Sequence, residues 1–266
     1  MSKITIIGSG NIGFSLAKGL LGAGHYQPNE ITITRRSIAA LQATNQEGFT
    51  ISNDNAKAIQ GSEVIVLCVL PQQVNGVMQE IAPVLKEHQL IVSVVSGLSC
   101  ESIRKVLGEE CVAIRAMPNT AISIGQSMTC IASDNASAEH LKVVEDLFAT
   151  VGTTIVIEEE LMTSATALCA CGTAFFLRAV RAASQGGVEI GFHADDALRM
   201  AIQTAKGAVD LLLKNQSHPE NEIDKVTSPK GCTIAGLNEM EHNGFSSAFI
   251  KGIKLSALKA DGLYEE

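Results

Sequence analysis

Gly8-Ser9-Gly10-Asn11-Ile12-Gly13 follows the apolar run Ile4-Thr5-Ile6-Ile7 directly and opens a stretch in which Phe14, Leu16, Leu20 and Leu21 recur at helical spacing. Strand, glycine turn and helix in that order are what a pyrophosphate-binding βα unit requires. Gly8 permits the tight turn, Gly10 lets the backbone approach the phosphates, and Gly13 allows close helix packing. The unpaired N–H groups of the helix start then face the anion. The spacing therefore predicts a dinucleotide site, against the plainer alternative of an ordinary tight βα turn.

Outward from this motif, short β-branched runs alternate with amphipathic stretches as far as Glu159, the pattern of β-α units around a parallel sheet. The expected strands are Ile4-Ile7, Ile31-Thr34, Val64-Val69, Leu90-Val95, Val112-Arg115, Ser127-Ala132 and Thr154-Ile157. Beyond Glu160 the strand-like runs stop. Leu198, Ile202, Ala205, Val209 and Leu212 fall on one helical face. The fold class read from this is α/β: a Rossmann-type NAD(P)-binding domain over residues 1–159, followed by an all-helical domain over residues 160–266. The stretch from Leu161 to Ala183 is apolar nearly all round, so it must be covered by other helices or by a partner subunit. A homodimer or larger homo-oligomer built through the helical half is expected.

Four loops carry chemistry. After the second strand the chain reads Thr34-Arg35-Arg36-Ser37, where an NAD-preferring enzyme would place an acid; two guanidiniums and a hydroxyl suit a ribose 2′-phosphate instead. NADPH is the expected cofactor, with NADH possible. Val69-Leu70-Pro71-Gln72, Ser96-Gly97 and Met117-Pro118-Asn119-Thr120 each follow a strand, so all three are expected to line one crevice at the carboxyl edge of the sheet. The last is Val226-Thr227-Ser228-Pro229-Lys230-Gly231-Cys232-Thr233, a Pro/Gly loop running into an apolar periodic segment. Such a helix start can hold a carboxylate on its free N–H groups, and simple capping by Ser228 or Thr233 reads equally well there.

Together these segments resemble the pyrroline-5-carboxylate reductase family over nearly the whole chain. The resemblance rests on the glycine-rich opening, Arg115-Ala116-Met117-Pro118-Asn119-Thr120, Gly186-Gly187-Val188-Glu189-Ile190-Gly191, and above all Val226 to Leu237. It implies reduction of a cyclic imine to L-proline in proline biosynthesis, on interlocked helical dimers. By the same resemblance, Gly8, Gly10, Asn11, Ile12, Gly13, Arg35, Arg36, Ser37, Asn55, Val69, Pro71 and Ser96 contact the cofactor. Asn119, Lys230, Gly231, Cys232 and Thr233 hold the imino acid, and the Thr233 and Ser228 hydroxyls serve the reacting centre. The chain departs from the family at Leu70, at Ala121, at Lys230 and Cys232, and in Cys169-Ala170-Cys171-Gly172-Thr173-Ala174.

Composition narrows the remaining classes. A net charge of −8 with both signs interspersed leaves no basic stripe for nucleic acid. The amino-terminal run turns glycine-rich before it reaches signal-peptide length, and polar residues with Gly172 interrupt the apolar stretch after Leu161, so neither export nor a membrane span is expected. Seven cysteines, odd in number and mostly in apolar runs, suit reduced thiols in the cytoplasm. Cys169 and Cys171 lack further ligands at zinc spacing, so no metal is expected. Hydride transfer to a protonated imine needs alignment and exclusion of water rather than a metal or a histidine acid. Two other readings share the fold: a β-hydroxyacid dehydrogenase, for which no lysine motif is seen after Leu161, and a non-catalytic NADP-binding regulator.

Overall fold

The computed structural model describes residues 3–37, 39, 42 and 47–264; Met1 and Ser2 of the amino-terminal run lie outside them. Its strands are β1 (Lys3–Ile7), β2 (Ile31–Thr34), β3 (Thr50–Ser52), β4 (Ser62–Leu67), β5 (Leu90–Ser93), β6 (Ala113–Met117), β7 (Ser127–Ala132) and β8 (Gly152–Val156). They form one sheet in the order β3-β2-β1-β4-β5-β6-β7-β8. The helices that bear on the site are α1 (Asn11–Gly22), α2 (Asn55–Ala58), α3 (Pro71–Ile81), α4 (Cys100–Leu107) and α5 (Ala138–Ala149).

Strand alternation explains the two cores. Ile4, Ile6, Val64, Val66, Val92 and Ile114 pack with Leu16 and Leu20 of α1 and Phe148 of α5. Their neighbours Ile7, Ile65, Leu67, Ile91 and Ala113 pack with Val74 and Met78 of α3 and Ile103 of α4. Successive side chains point to opposite faces, so helices must cover both, and the central strands read as continuous apolar runs. Each large aliphatic side chain buried in this way contributes about 1.5–3 kcal/mol.

All seven strands expected from the sequence form, with shifted ends. Thr50–Ser52 is an additional strand, short and at the sheet edge beside β2. The sheet is also not wholly parallel, because β6 and β7 run antiparallel. The stretch 118–126 between them holds only a 3₁₀ turn, Thr120–Ile124, and has no room for a helical crossover.

The chain divides into two compact units, residues 1–171 with 255–266, and residues 172–254. The second unit is built from α7 (Gly172–Glu189), α8 (Ala194–Asn215), α9 (Pro219–Val226) and α10 (Cys232–His242), with most of α11 (Phe245–Asp261); α6 (Met162–Ala165) precedes it. Helices α7 and α8 approach so closely that a Cβ at Gly187 would lie 2.9 Å from that of Ala197. Phe249 gathers Phe175, Phe176 and Phe245 around it. The histidines His193 and His218 are N-cap residues, and His242 ends a helix.

Among the described residues one helical run, Glu159–Glu189, is long and apolar enough to cross a membrane. Much of its apolar surface stays open in the single chain, including Leu168, Phe176 and Leu177. Leu198, Ile202 and Val209 on α8 and Ile250 and Leu258 on α11 are open as well.

Where the sheet meets the helical run, the buried guanidinium of Arg115 on β6 reaches Glu159 Oε1 at 3.3 Å. The same carboxylate oxygen accepts the backbone N–H of Cys100 at 2.8 Å, pinning the start of α4. Removing one member of such a pair leaves an uncompensated buried charge. Glu159→Ala should therefore lower unfolding free energy in urea by about 3 kcal/mol, whereas Glu160→Ala, next along the chain, should change it by less than about 0.5 kcal/mol.

Candidate functional site

Strand order positions the site. From β1 the chain proceeds to β2 and β3 on one side, then crosses back to β4 on the other, which opens a crevice at the carboxyl ends of β1 and β4. A cleft of about 910 Å³ lies there, lined by the turn from Ile7 to Ile12, by Thr34 to Ser37 after β2, and by Cys68 to Leu70 after β4.

The glycine turn is held by backbone geometry. Gly8 has φ of +104°, and a Cβ on it would lie 2.6 Å from the Cys68 carbonyl oxygen. At Gly13 a Cβ would fall 1.9 Å from the Gly8 carbonyl oxygen, so α1 sits against the turn only because that atom is missing. Gly10 is different: nothing lies within 4 Å of its Cβ position, and it is the N-cap of α1 with no side-chain cap. The first N–H groups of α1 thus open into the cleft unoccupied by side chains, as an anion cradle needs. Ser9 Oγ, also lining the cleft, is buried and has no hydrogen-bond partner. An orphaned hydroxyl beside open N–H groups fits a phosphate ligand.

At the far wall Arg35 and Arg36 are exposed, and neither forms an ion pair among the described residues. Asn55 is fixed from three directions. Its Oδ1 accepts from Thr34 Oγ1 at 2.7 Å, its Nδ2 donates to Glu80 Oε2 at 2.8 Å, and its backbone N–H donates to Glu80 Oε1 at 3.0 Å. Gln72, expected there from the sequence, lines the cleft from α3, and so do Gln73 and Glu80, which sequence reasoning does not assign to the site. No local pattern marks Glu80; only the passage of α3 beside α2 brings it to Asn55.

Three expected cofactor residues do not line the cleft. Gly13 acts through packing, Pro71 occupies the first turn of α3, and Ser96 lies in the turn after β5. Of the three post-strand loops, the one after β4 supplies Val69, Leu70 and Gln72 to this cleft. The loops after β5 and β6 are one and two strands beyond β4, at about 4.8 Å per strand. Asn119 instead caps the Thr120–Ile124 turn through Oδ1, and its Nδ2 donates to the Cys169 carbonyl at 3.2 Å.

The Ser228 to Thr233 loop belongs to the second unit. Gly231 N–H donates to the Ser228 carbonyl at 2.9 Å, closing a turn with Pro229 and Lys230 at its corners. Lys230 has φ of +59°, left-handed backbone that costs a non-glycine residue about 1–2 kcal/mol. The N-cap of α10 is Gly231, with no side-chain cap. Capping by Ser228 or Thr233 is therefore not what the loop does, and the first N–H groups of α10 are left open.

Cys100, Asp134 and Glu159 come within metal-ligand distance of one another. Asp134 is taken by Arg104 and Glu159 by Arg115, while burial and the two carboxylates push the Cys100 thiol up to about 12. The group does not suit a cation.

Comparison with known proteins follows the same division. The chain is 48% identical to pyrroline-5-carboxylate reductase 1 of Dictyostelium discoideum over 99% of its own length, and spans half of that protein. It is also 48% identical to pyrroline-5-carboxylate reductase 2 of that organism, covering 97% of this chain and 92% of the relative. The chain belongs to the pyrroline-5-carboxylate reductase family. Its helical half, residues 159–263, matches the family model for pyrroline-5-carboxylate reductase dimerisation. Residues 3–97 match the model described as NADP oxidoreductase, coenzyme F420-dependent. The NADP-bound pyrroline carboxylate reductase of Plasmodium falciparum, 24% identical, shares the fold with a TM-score of 0.91 over 99% of this chain and 98% of its own.

Gly10 and Gly13 separate ligand access from packing. Gly13→Ala should lower unfolding free energy by at least about 2 kcal/mol, because α1 must move off the turn. Gly10→Ala should leave thermal unfolding within about 3 °C of the parent. Equal destabilisation by both would contradict this division of labour.

Proposed function

We propose that this chain reduces the C=N bond of pyrroline-5-carboxylate to give L-proline, using NADPH and, less well, NADH. The observation that carries the reading is similarity at 48% identity that runs through both the glycine-turned cleft and the Ser228 to Thr233 loop. When bound, NADPH supplies a hydride to the imine carbon.

The residues present fit that cofactor. Gly8, Gly10, Asn11, Ile12 and Gly13 set the pyrophosphate cradle, supported by the open N–H groups at Gly10 and the unpartnered Ser9 hydroxyl. Arg35, Arg36, Ser37 and Asn55 take the ribose phosphate; with Glu80 and Thr34 holding its amide, Asn55 keeps a single orientation. Val69, Pro71 and Ser96 serve the nicotinamide end. Asn119, Lys230, Gly231, Cys232 and Thr233 bind the imino acid, whose carboxylate suits the uncapped start of α10. The Lys230 ammonium adds a cation where the family commonly has glycine. Thr233 and Ser228 are the hydroxyls assigned to the imine nitrogen.

In this reading residues 1–159 form the cofactor domain and residues 160–266 the substrate and dimerisation domain. The apolar faces left open on α7, α8 and α11 are covered by a second copy of the chain, as the match to a dimerisation model supports. Seven free cysteines, three of them buried, support a cytoplasmic location.

Purified protein offered NADPH with a panel of cyclic imino acids tests the function: oxidation is expected with pyrroline-5-carboxylate above the rest. Tight NADPH binding with no turnover on any member would favour the regulator instead. The double change Arg35→Glu with Arg36→Glu should weaken NADPH about 100-fold and NADH less than about 3-fold. Thr233→Val should lower kcat about 100-fold with NADPH affinity unchanged.

A further inference from the structure

Cys130 lies on β7 in the first unit, and Cys169 stands in a π-helical turn, Thr166–Cys171, of the same unit. Their sulfurs are 3.7 Å apart. We propose that Cys130 and Cys169 form a peroxide-sensitive dithiol whose closure to a disulfide loosens the hold on Asn119 and lowers turnover.

The two thiols have unequal environments. Cys130 is buried, whereas Cys169 is partly open. The two sulfurs share one S–H···S contact in which either can donate; it raises the buried Cys130 thiol, with burial adding to the effect, and lowers that of the more open Cys169. Cys169 is thus the nucleophile and Cys130 the resolving group. The Cys169 thiolate attacks one oxygen of a peroxide; the O–O bond breaks, and the second oxygen leaves as hydroxide, protonated to water. Cys130 sulfur then attacks the sulfenic sulfur, the S–O bond breaks, and a second water departs. Two thiols lose two electrons and two protons, and hydrogen peroxide becomes two waters. A dithiol reductant reverses the change.

Closure must draw the sulfurs from 3.7 Å to about 2.05 Å. The surroundings permit it: Ala132, Ala165 and Ala170 are small, and Met117 and Met162 are pliant. A π-helical turn also carries slack that a regular helix lacks. The backbone carbonyl of Cys169 accepts from Asn119 Nδ2 at 3.2 Å, so movement of this turn reaches a residue assigned to the substrate. The thiol chemistry stands independently; its effect on turnover rests on the reductase reading.

The test treats the full chain with hydrogen peroxide, blocks free thiols with iodoacetamide, and maps peptides by mass and fragmentation. A Cys130–Cys169 linkage is expected, with a fall in imine reduction of about five-fold, equivalent to one neutral hydrogen bond, restored by dithiothreitol. In Cys130→Ser, dimedone should trap a sulfenic acid at Cys169 and no linkage should form. Separate alkylation of both thiols after peroxide, or linkage through other cysteines, would overturn the site. Linkage without any change in turnover would overturn its coupling to Asn119. A parent protein that reduces no imine would count against the reductase alone, because the peptide map on the wild-type chain still decides the linkage.

Discussion

Everything at the nucleotide end of the molecule depends on one close approach, that of α1 to the glycine turn. A Cβ at Gly13 would overlap the Gly8 carbonyl, so the helix start can face the crevice only where that side chain is missing. Once α1 is seated, Gly10 becomes its N-cap, with no side-chain cap, and the first N–H groups of the helix are left open to a ligand. The reversal of strand order between β1 and β4, which run parallel, supplies the crevice, and α3, leaving β4, supplies Glu80 to fix Asn55. Packing, topology and anion recognition therefore share a single origin.

Much of this is legible in the sequence because it is local. The strand, turn and helix of the opening motif lie within a span where periodicity and glycine spacing decide the backbone, and the buried central strands announce themselves as continuous apolar runs. What the sequence hides is long-range. Glu80 lies far along the chain from Asn55 and belongs to no motif. The antiparallel turn into β7 comes from a connection too short for a crossover, and β3 is short and at the sheet edge. The capping alternative at Ser228 and Thr233 is decided only by the backbone, which makes Gly231 the N-cap.

The second unit shows the opposite balance. Its helices are plain from their 3.6-residue period, yet α8 and α11 carry large apolar side chains that stay exposed among the described residues. Such exposure is costly for a soluble monomer and ordinary for half of an interlocked pair. In the same unit Lys230 keeps a left-handed backbone at a cost that glycine would avoid.

Direct hydride transfer from the reduced nicotinamide to the imine carbon is the step that the proposed function requires. The measurement follows deuterium carried at both C4 positions of NADPH during turnover of pyrroline-5-carboxylate. The account predicts deuterium in the proline formed, on the carbon of the former C=N bond. Proline formed without the label, or label released to solvent, would contradict it.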